Sequence, residues 1–167
     1  MLTERFLPGL SEARAGRAIE LIWHEAALLD RKAYREWDEL WAPDAHYVLP
    51  IDPDTTDFAG TLNLVYDDER MRRLRIERLT SGRAPSVLAA ARTVRTLSRF
   101  EVTDSTDDEL ELTSAQVLVA HKREETFVLG ADVTHRIRFG STGPRITLKV
   151  VRLVNSDEAV RTSGFLL

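Results

Sequence analysis

The stretch that decides the fold is TFVLGADVTHRIRF, residues 126–139, followed by the turn GSTGP at 140–144 and the run RITLKV at 145–150. Its odd positions are Phe127, Leu129, Ala131, Val133, His135, Ile137 and Phe139, and most even positions are polar: Thr126, Gly130, Asp132, Thr134, Arg136 and Arg138. A period of two places alternate side chains on opposite faces, so this is a strand with one face buried. Glycine and proline then turn the chain into a second alternating run, Ile146, Leu148 and Val150 against Thr147 and Lys149. A long antiparallel hairpin is predicted.

Upstream, Leu110 and Leu112 are even whereas Ala115, Val117 and Val119 are odd, which predicts a strand that changes phase at a β-bulge near Thr113 and Ser114. ARTVRTLSRFEV at 91–102 gives a further strand before the polar turn TDSTDD, making about four long antiparallel strands. The first half keeps a different period. Ser11 suits a helix start, and Ala15, Ala18, Ile19, Ile22, Trp23, Ala26 and Leu29 follow at three- and four-residue steps. Asp30 is placed to cap a second helix carrying Ala33, Trp37, Leu40 and Trp41 until Pro43 and Asp44 break it. HYVLP at 46–50 reads as a short strand and IDPDTTDFAG as a loop. Asp67 reads as the cap of a third, basic helix, with Asp68 and Glu69 in its first turn, ending near Gly82. Helices first and long antiparallel strands afterwards describe an α+β domain over residues 1–167, with residues 1–10 as an N-terminal arm and a curved, mostly antiparallel sheet wrapped around the helices as a cone.

With 43% hydrophobic and 30% charged residues the chain is globular in composition. The charge is −4 from 23 basic and 27 acidic residues of interspersed sign, which argues against nucleic acid as a partner. The start, MLTERFLPGLSEARAG, holds no unbroken apolar run, so neither a signal peptide nor a membrane span is read there and a cytoplasmic protein is expected. There is no cysteine, which removes disulfides, thiol nucleophiles and cysteine-held iron–sulfur clusters together.

Four histidines, His24, His46, His121 and His135, show no metal-like spacing and are read as structural, with His135 in phase with the buried strand face. Acid/base chemistry inside a cone would draw on Asp44, His46, Tyr47, His121, Asp132 and His135, since a carboxylate or imidazole in an apolar pocket can move protons near neutral pH. Tyr66, Asp67 and Asp68 form a helix cap and, with Arg75, Arg78, Arg92 and Arg95, candidate ion pairs within the chain or across an interface. The run RMRRLRIERLTSGR at 70–83 is interrupted by Glu77 and reads as a solvated or interface-facing helix. Trp23, Trp37 and Trp41 read as core or interface anchors.

Placed in this order, the residues resemble the small subunit of aromatic-ring-hydroxylating dioxygenases. The carriers are EAALLD at 25–30, then Tyr34, Trp37, Leu40, Asp44, Tyr47 and Pro50; Tyr66, Asp67 and Asp68 ahead of Leu74, Arg75, Arg78, Leu79 and Gly82; Ala84, Pro85 and Ser86; Arg92, Thr93 and Arg95; and Lys149, Asn155 and Asp157. Arg99, where that family more often has asparagine, and the alanine-rich segment between Ser86 and Arg92 depart from the pattern. The resemblance implies the cone-shaped fold of nuclear transport factor 2 and ketosteroid isomerase. It implies a non-catalytic subunit, with no cofactor of its own, that assembles with a large subunit carrying a Rieske [2Fe-2S] cluster and a mononuclear iron, commonly as three large and three small chains. The alternative is a stand-alone isomerase, dehydratase or cyclase of the same fold.

Overall fold

A computed structural model describes residues 9–82, 91–156 and 165–167. Most of the N-terminal arm, Ala84, Pro85, Ser86 and Asp157 lie outside the described residues. The elements run α1 (Ala13–Asp30), α2 (Tyr34–Asp38), β1 (Trp41–Pro50), β2 (Asn63–Asp67), α3 (Glu69–Thr80), β3 (Arg92–Ser105), β4 (Glu109–Lys122), β5 (Glu125–Gly140) and β6 (Gly143–Leu153). One unclosed sheet has the order β2-β1-β6-β5-β4-β3, and every neighbouring pair is antiparallel except β1 with β6. This is the α+β architecture expected: helices packed in a curved, mostly antiparallel sheet.

The core sits inside that curve. Ala15, Ala18, Ile22, Ala26, Leu28 and Leu29 of α1 are buried, and the sheet answers with Leu110, Leu112, Leu118, Val133, Ile137 and Val151. Small residues on one helix face let the helix axis approach the strands closely, which is why the stripe is alanine-rich.

Several local expectations are corrected. Ser11 does not cap α1; Glu12 stands at that position without a side-chain cap bond. Asp30 is the last residue of α1 and caps nothing, because its carboxylate is held by Thr93 and Arg95. The second helix is one short turn and a half, and Leu40 and Trp41 leave it: Trp41 already opens β1, which is ten residues long where five were expected. The cap of α3 is Asp68, whose Oδ1 accepts from the backbone N–H of Met71 at 2.8 Å, and Asp67 is free to turn inward. Trp23 belongs to the outer side of α1, 54% exposed, and stands edge-to-face with Phe100.

The predicted bulge near Thr113 and Ser114 is absent: β4 pairs with β5 without interruption from Glu109 to Lys122. Its even positions stay inward throughout, but two of them, Ser114 and Gln116, are polar, while outward Val117 and Val119 are apolar. That exchange of polarity imitates a change of phase. The true irregularities lie on β3: Ser98 pairs with Ala115 and Glu101 with Thr113, three steps against two, and Val102 pairs with Leu112 and Asp104 with Glu111, two against one. Arg99 lies in the first of the two at φ 55°, in the left-handed region that asparagine enters more readily than arginine. A further irregularity sits on β6, where Ile137 pairs with Ile146 and Arg136 with Leu148, leaving Thr147 as the extra residue. The face of β6 is therefore reversed after Ile146: Lys149, read from its spacing as outward, turns into the cone opposite His135.

Candidate functional site: the polar core of the cone

Glu25 is the hub. It lies on the inward face of α1, between the apolar residues Ile22, Leu28 and Leu29, and is 1% exposed. Its Oε1 accepts from Lys149 Nζ at 2.7 Å and from Trp37 Nε1 at 2.9 Å. Its Oε2 lies 2.8 Å from His135 Nε2. Lys149 Nζ also donates to the backbone oxygen of Leu167 at 2.9 Å, and Tyr47 OH donates to the same oxygen at 3.0 Å while accepting from the Leu167 N–H. At the other side of residues 165–167, Arg95 Nη2 donates to Leu166 O at 3.1 Å, with its Nε and N–H held by Asp30 at 2.9 Å. Phe165, Leu166 and Leu167 are themselves buried, and Phe165 packs on Phe127.

Burial sets the electrostatics. It works to raise the Glu25 carboxyl, but the charge of Lys149 and then the contacts of His135 outweigh it, and the group is held well below the usual carboxylate range. Burial lowers His135, only partly opposed by Glu25, and lowers the Lys149 amine, again opposed by Glu25. The Tyr47 phenol is pushed up by burial. Geometry gives the same protonation of His135. A neutral ring donates Nε2–H to Glu25 and leaves Nδ1 as a bare acceptor; Nδ1 has no partner among the described residues, so a second proton there would find nothing to bond.

Of the six acid/base candidates, the structure brings together only Tyr47 and His135. Asp44 is a surface residue whose two oxygens each lie 3.0 Å from Arg138, which holds its carboxyl below the usual value. His46, on the outer face of β1, stacks on Tyr66 with ring centroids 5.2 Å apart. His121 is exposed, with Nδ1 2.7 Å from Thr126 Oγ1, and Asp132 is exposed and pairs with Arg99. His24 is exposed on α1. Among the described residues no three His, Asp or Glu side chains are grouped to hold a metal ion.

The ion-pair candidates divide likewise. Asp67 is 2% exposed and takes both Arg75 Nε, at 2.5 Å, and Nη2, at 3.0 Å. Arg95 is turned inward and bound by Asp30. Tyr66, Arg78 and Arg92 are exposed. Sequence reasoning missed Glu25, Lys149 as an inward residue, and Arg72, which is buried, 3.2 Å from Asp38, donating to Ala45 O and stacked over Trp41 at 4.6 Å.

The ring hydroxylating beta subunit family is matched by residues 24–157 of this chain. The chain belongs to that family. This beta subunit is 31% identical over 98 residues to the 2-halobenzoate 1,2-dioxygenase small subunit of Burkholderia cepacia, covering 56% of this chain and 59% of that relative's length. Its fold is similar to the beta subunit of the benzoate 1,2-dioxygenase from Burkholderia mallei, with a TM-score of 0.73 at 19% identity over 91% of this chain and 97% of that one. A scytalone dehydratase candidate from Novosphingobium aromaticivorans shares the fold at a TM-score of 0.66 and 10% identity, over 92% and 93% of the two chains. The cone fold expected from the resemblance is thus the fold observed. Among the described residues no helix is long and apolar enough to cross a membrane.

Proposed function

We propose that this beta subunit works by assembly: it packs against and stabilises a large oxygenase subunit and contributes no catalytic group. One observation carries the reading. Val94, Val119 and Val128 are cross-strand neighbours on β3, β4 and β5, Val117 lies two residues along β4, and Val154 packs on the Gly130 side of β5; all five are exposed, up to 76%. An isolated globular chain gains nothing from a contiguous bare patch of valine, whereas an obligate subunit hides such a patch in its interface. The filled cone points the same way, because Glu25, Lys149 and Arg95 are bonded within the chain and to residues 165–167.

On this reading the iron chemistry belongs to the partner, which would hold the Rieske [2Fe-2S] cluster and the mononuclear iron, and the complex would form in the cytoplasm as three large and three small chains acting on an aromatic substrate. The relatives support an aromatic ring system, being named for benzoate and halobenzoate dioxygenases. The rival reading, an acid/base enzyme, retains only Tyr47 and His135 of its six residues within one cluster. Co-expression with a large oxygenase subunit encoded in the same genome tests the proposal. A complex near three-plus-three mass by light scattering supports it, and two proteins that elute separately overturn it.

A further inference from the structure

Lys149 Nζ and Tyr47 OH converge on one backbone oxygen, that of Leu167, and Arg95 Nη2 holds the preceding one, that of Leu166. These three donors come from β6, β1 and β3, so the sheet itself builds the cluster. Lys149 and Tyr47 are each 1% exposed and the Arg95 side chain is 1% exposed. Phe165 packs on Phe127, and Leu129, Ala131 and Leu167 belong to the same apolar core. Arg95 Nη1 is buried without an acceptor among the described residues, although its sister nitrogens are all bonded. A lysine, a phenol and an arginine that converge on neighbouring oxygens match the full charge and the roughly four lone-pair sites of a carboxylate.

We propose that the interior of the cone is a binding site for a small aromatic carboxylate, and that residues 165–167 occupy it as an internal ligand. The ring of such a ligand takes the volume of Phe165 and Leu167, and its carboxylate takes the donors now spent on Leu166 O and Leu167 O. Displacing the segment gives up the burial of three apolar side chains, on the order of 1.5–3 kcal/mol each, so the unaltered chain binds weakly and a chain with those side chains removed binds well.

The test uses the full-length chain and 2-naphthoate as the probe. The variant F165G/L166G/L167G, shown by circular dichroism to be folded, is expected to bind 2-naphthoate at least about tenfold more tightly than the unaltered chain by calorimetry, and K149M added to it to lose about tenfold again, the loss of one charge-assisted hydrogen bond. Naphthalene, which lacks the oxygens, should show no dependence on Lys149. A folded triple variant that binds no better than the unaltered chain, or whose binding K149M leaves alone, overturns the proposal. Should the triple variant not fold, hydrogen exchange at the Leu167 amide of the unaltered chain decides: faster exchange with 2-naphthoate at millimolar concentration supports displacement, and an unchanged rate overturns it.

Discussion

His135 Nε2 stands 2.8 Å from Glu25 Oε2 across 110 residues of chain, with both side chains sealed from solvent. The contact ties the centre of β5 to the middle of α1 at the point where the two would otherwise meet through apolar side chains alone. It carries a pH dependence. His135 has its folded pKa below the ordinary value of 6.5, chiefly through burial. The unfolded chain therefore takes up a proton that the folded chain refuses. The stability this group contributes is complete above about pH 6.5 and declines as the pH falls from there toward the folded pKa, by at most about 1.4 kcal/mol per pH unit. Urea unfolding between about pH 7.5 and about pH 5.5 should show this slope, and H135Q, which keeps an N–H toward Glu25 but does not titrate, should flatten it. Parallel curves for the two proteins would refute the assignment. Loss of the Glu25 carboxylate, whose pKa is depressed, belongs to a separate window below about pH 4.5 and does not enter this comparison.

The Glu25–Lys149 pair is expected to be worth much more to break than to replace. Removing one partner strands the other in a dry site, which costs about 3–5 kcal/mol. K149M and E25Q should each show a loss of that size, and E25Q/K149M should lose clearly less than the sum of the two, because neither charge remains. Strict additivity in denaturant titrations would mean that the two groups do not interact as the 2.7 Å contact requires.

Asp67 and Asp68 are neighbours with opposite jobs, and their variants should separate. D68A removes the hydrogen bond to the Met71 N–H and should cost about 1 kcal/mol, the usual value of an N-cap. D67A leaves Arg75 half-buried without its carboxylate, whose contacts hold the guanidinium pKa up, and should cost about 3 kcal/mol. Equal losses, or a larger one at Asp68, would show that the cap has been assigned to the wrong residue.

What the amino-acid order disclosed follows the range of the interaction. Alternation along residues 126–139 and the helical stripe of α1 are local, and both survive in the structure. The parallel pairing of β1 with β6 joins residues about a hundred positions apart and leaves no periodic mark. The hub is hidden for two different reasons: Glu25 keeps the spacing of the apolar stripe but carries a charge, and Lys149 keeps strand alternation and so looked outward by spacing alone. Thr147 as the extra residue on β6 reverses that side, and an extra residue is invisible without its partner strand. Ser114 and Gln116 deceived in the opposite sense: polar side chains on an inward face and valines on an outward one produced a phase change that the backbone does not make.

Arg99 gives a prediction in which a substitution improves the protein. Its left-handed backbone costs an L-residue with a long side chain about 1 kcal/mol, and its ion pair with Asp132 is exposed on both sides and returns between about zero and 1 kcal/mol. R99N should therefore raise the urea midpoint slightly, and R99G more if backbone strain dominates. A fall with both variants would mean that the bulge is held by the arginine side chain.

The valine face supplies the last prediction, and it separates folding from assembly. Val119 and Val128 are directly opposed on β4 and β5, outward and exposed, so a charge there desolvates nothing in the isolated subunit. V119D and V128D should each change its stability by no more than about 0.5 kcal/mol. In a closed interface the same carboxylate is buried against valines without a partner, and each change should weaken association by about 2–4 kcal/mol, enough to release the large subunit on a sizing column at micromolar concentration. The control is D132A, which lies on the same outward face of β5 beyond Gly130, removes only the exposed pair with Arg99, and should leave both folding and co-elution intact. If V119D and V128D still co-elute with the large subunit, the partner sits elsewhere, and the exposed row Leu64 and Tyr66 on β2 becomes the next face to alter.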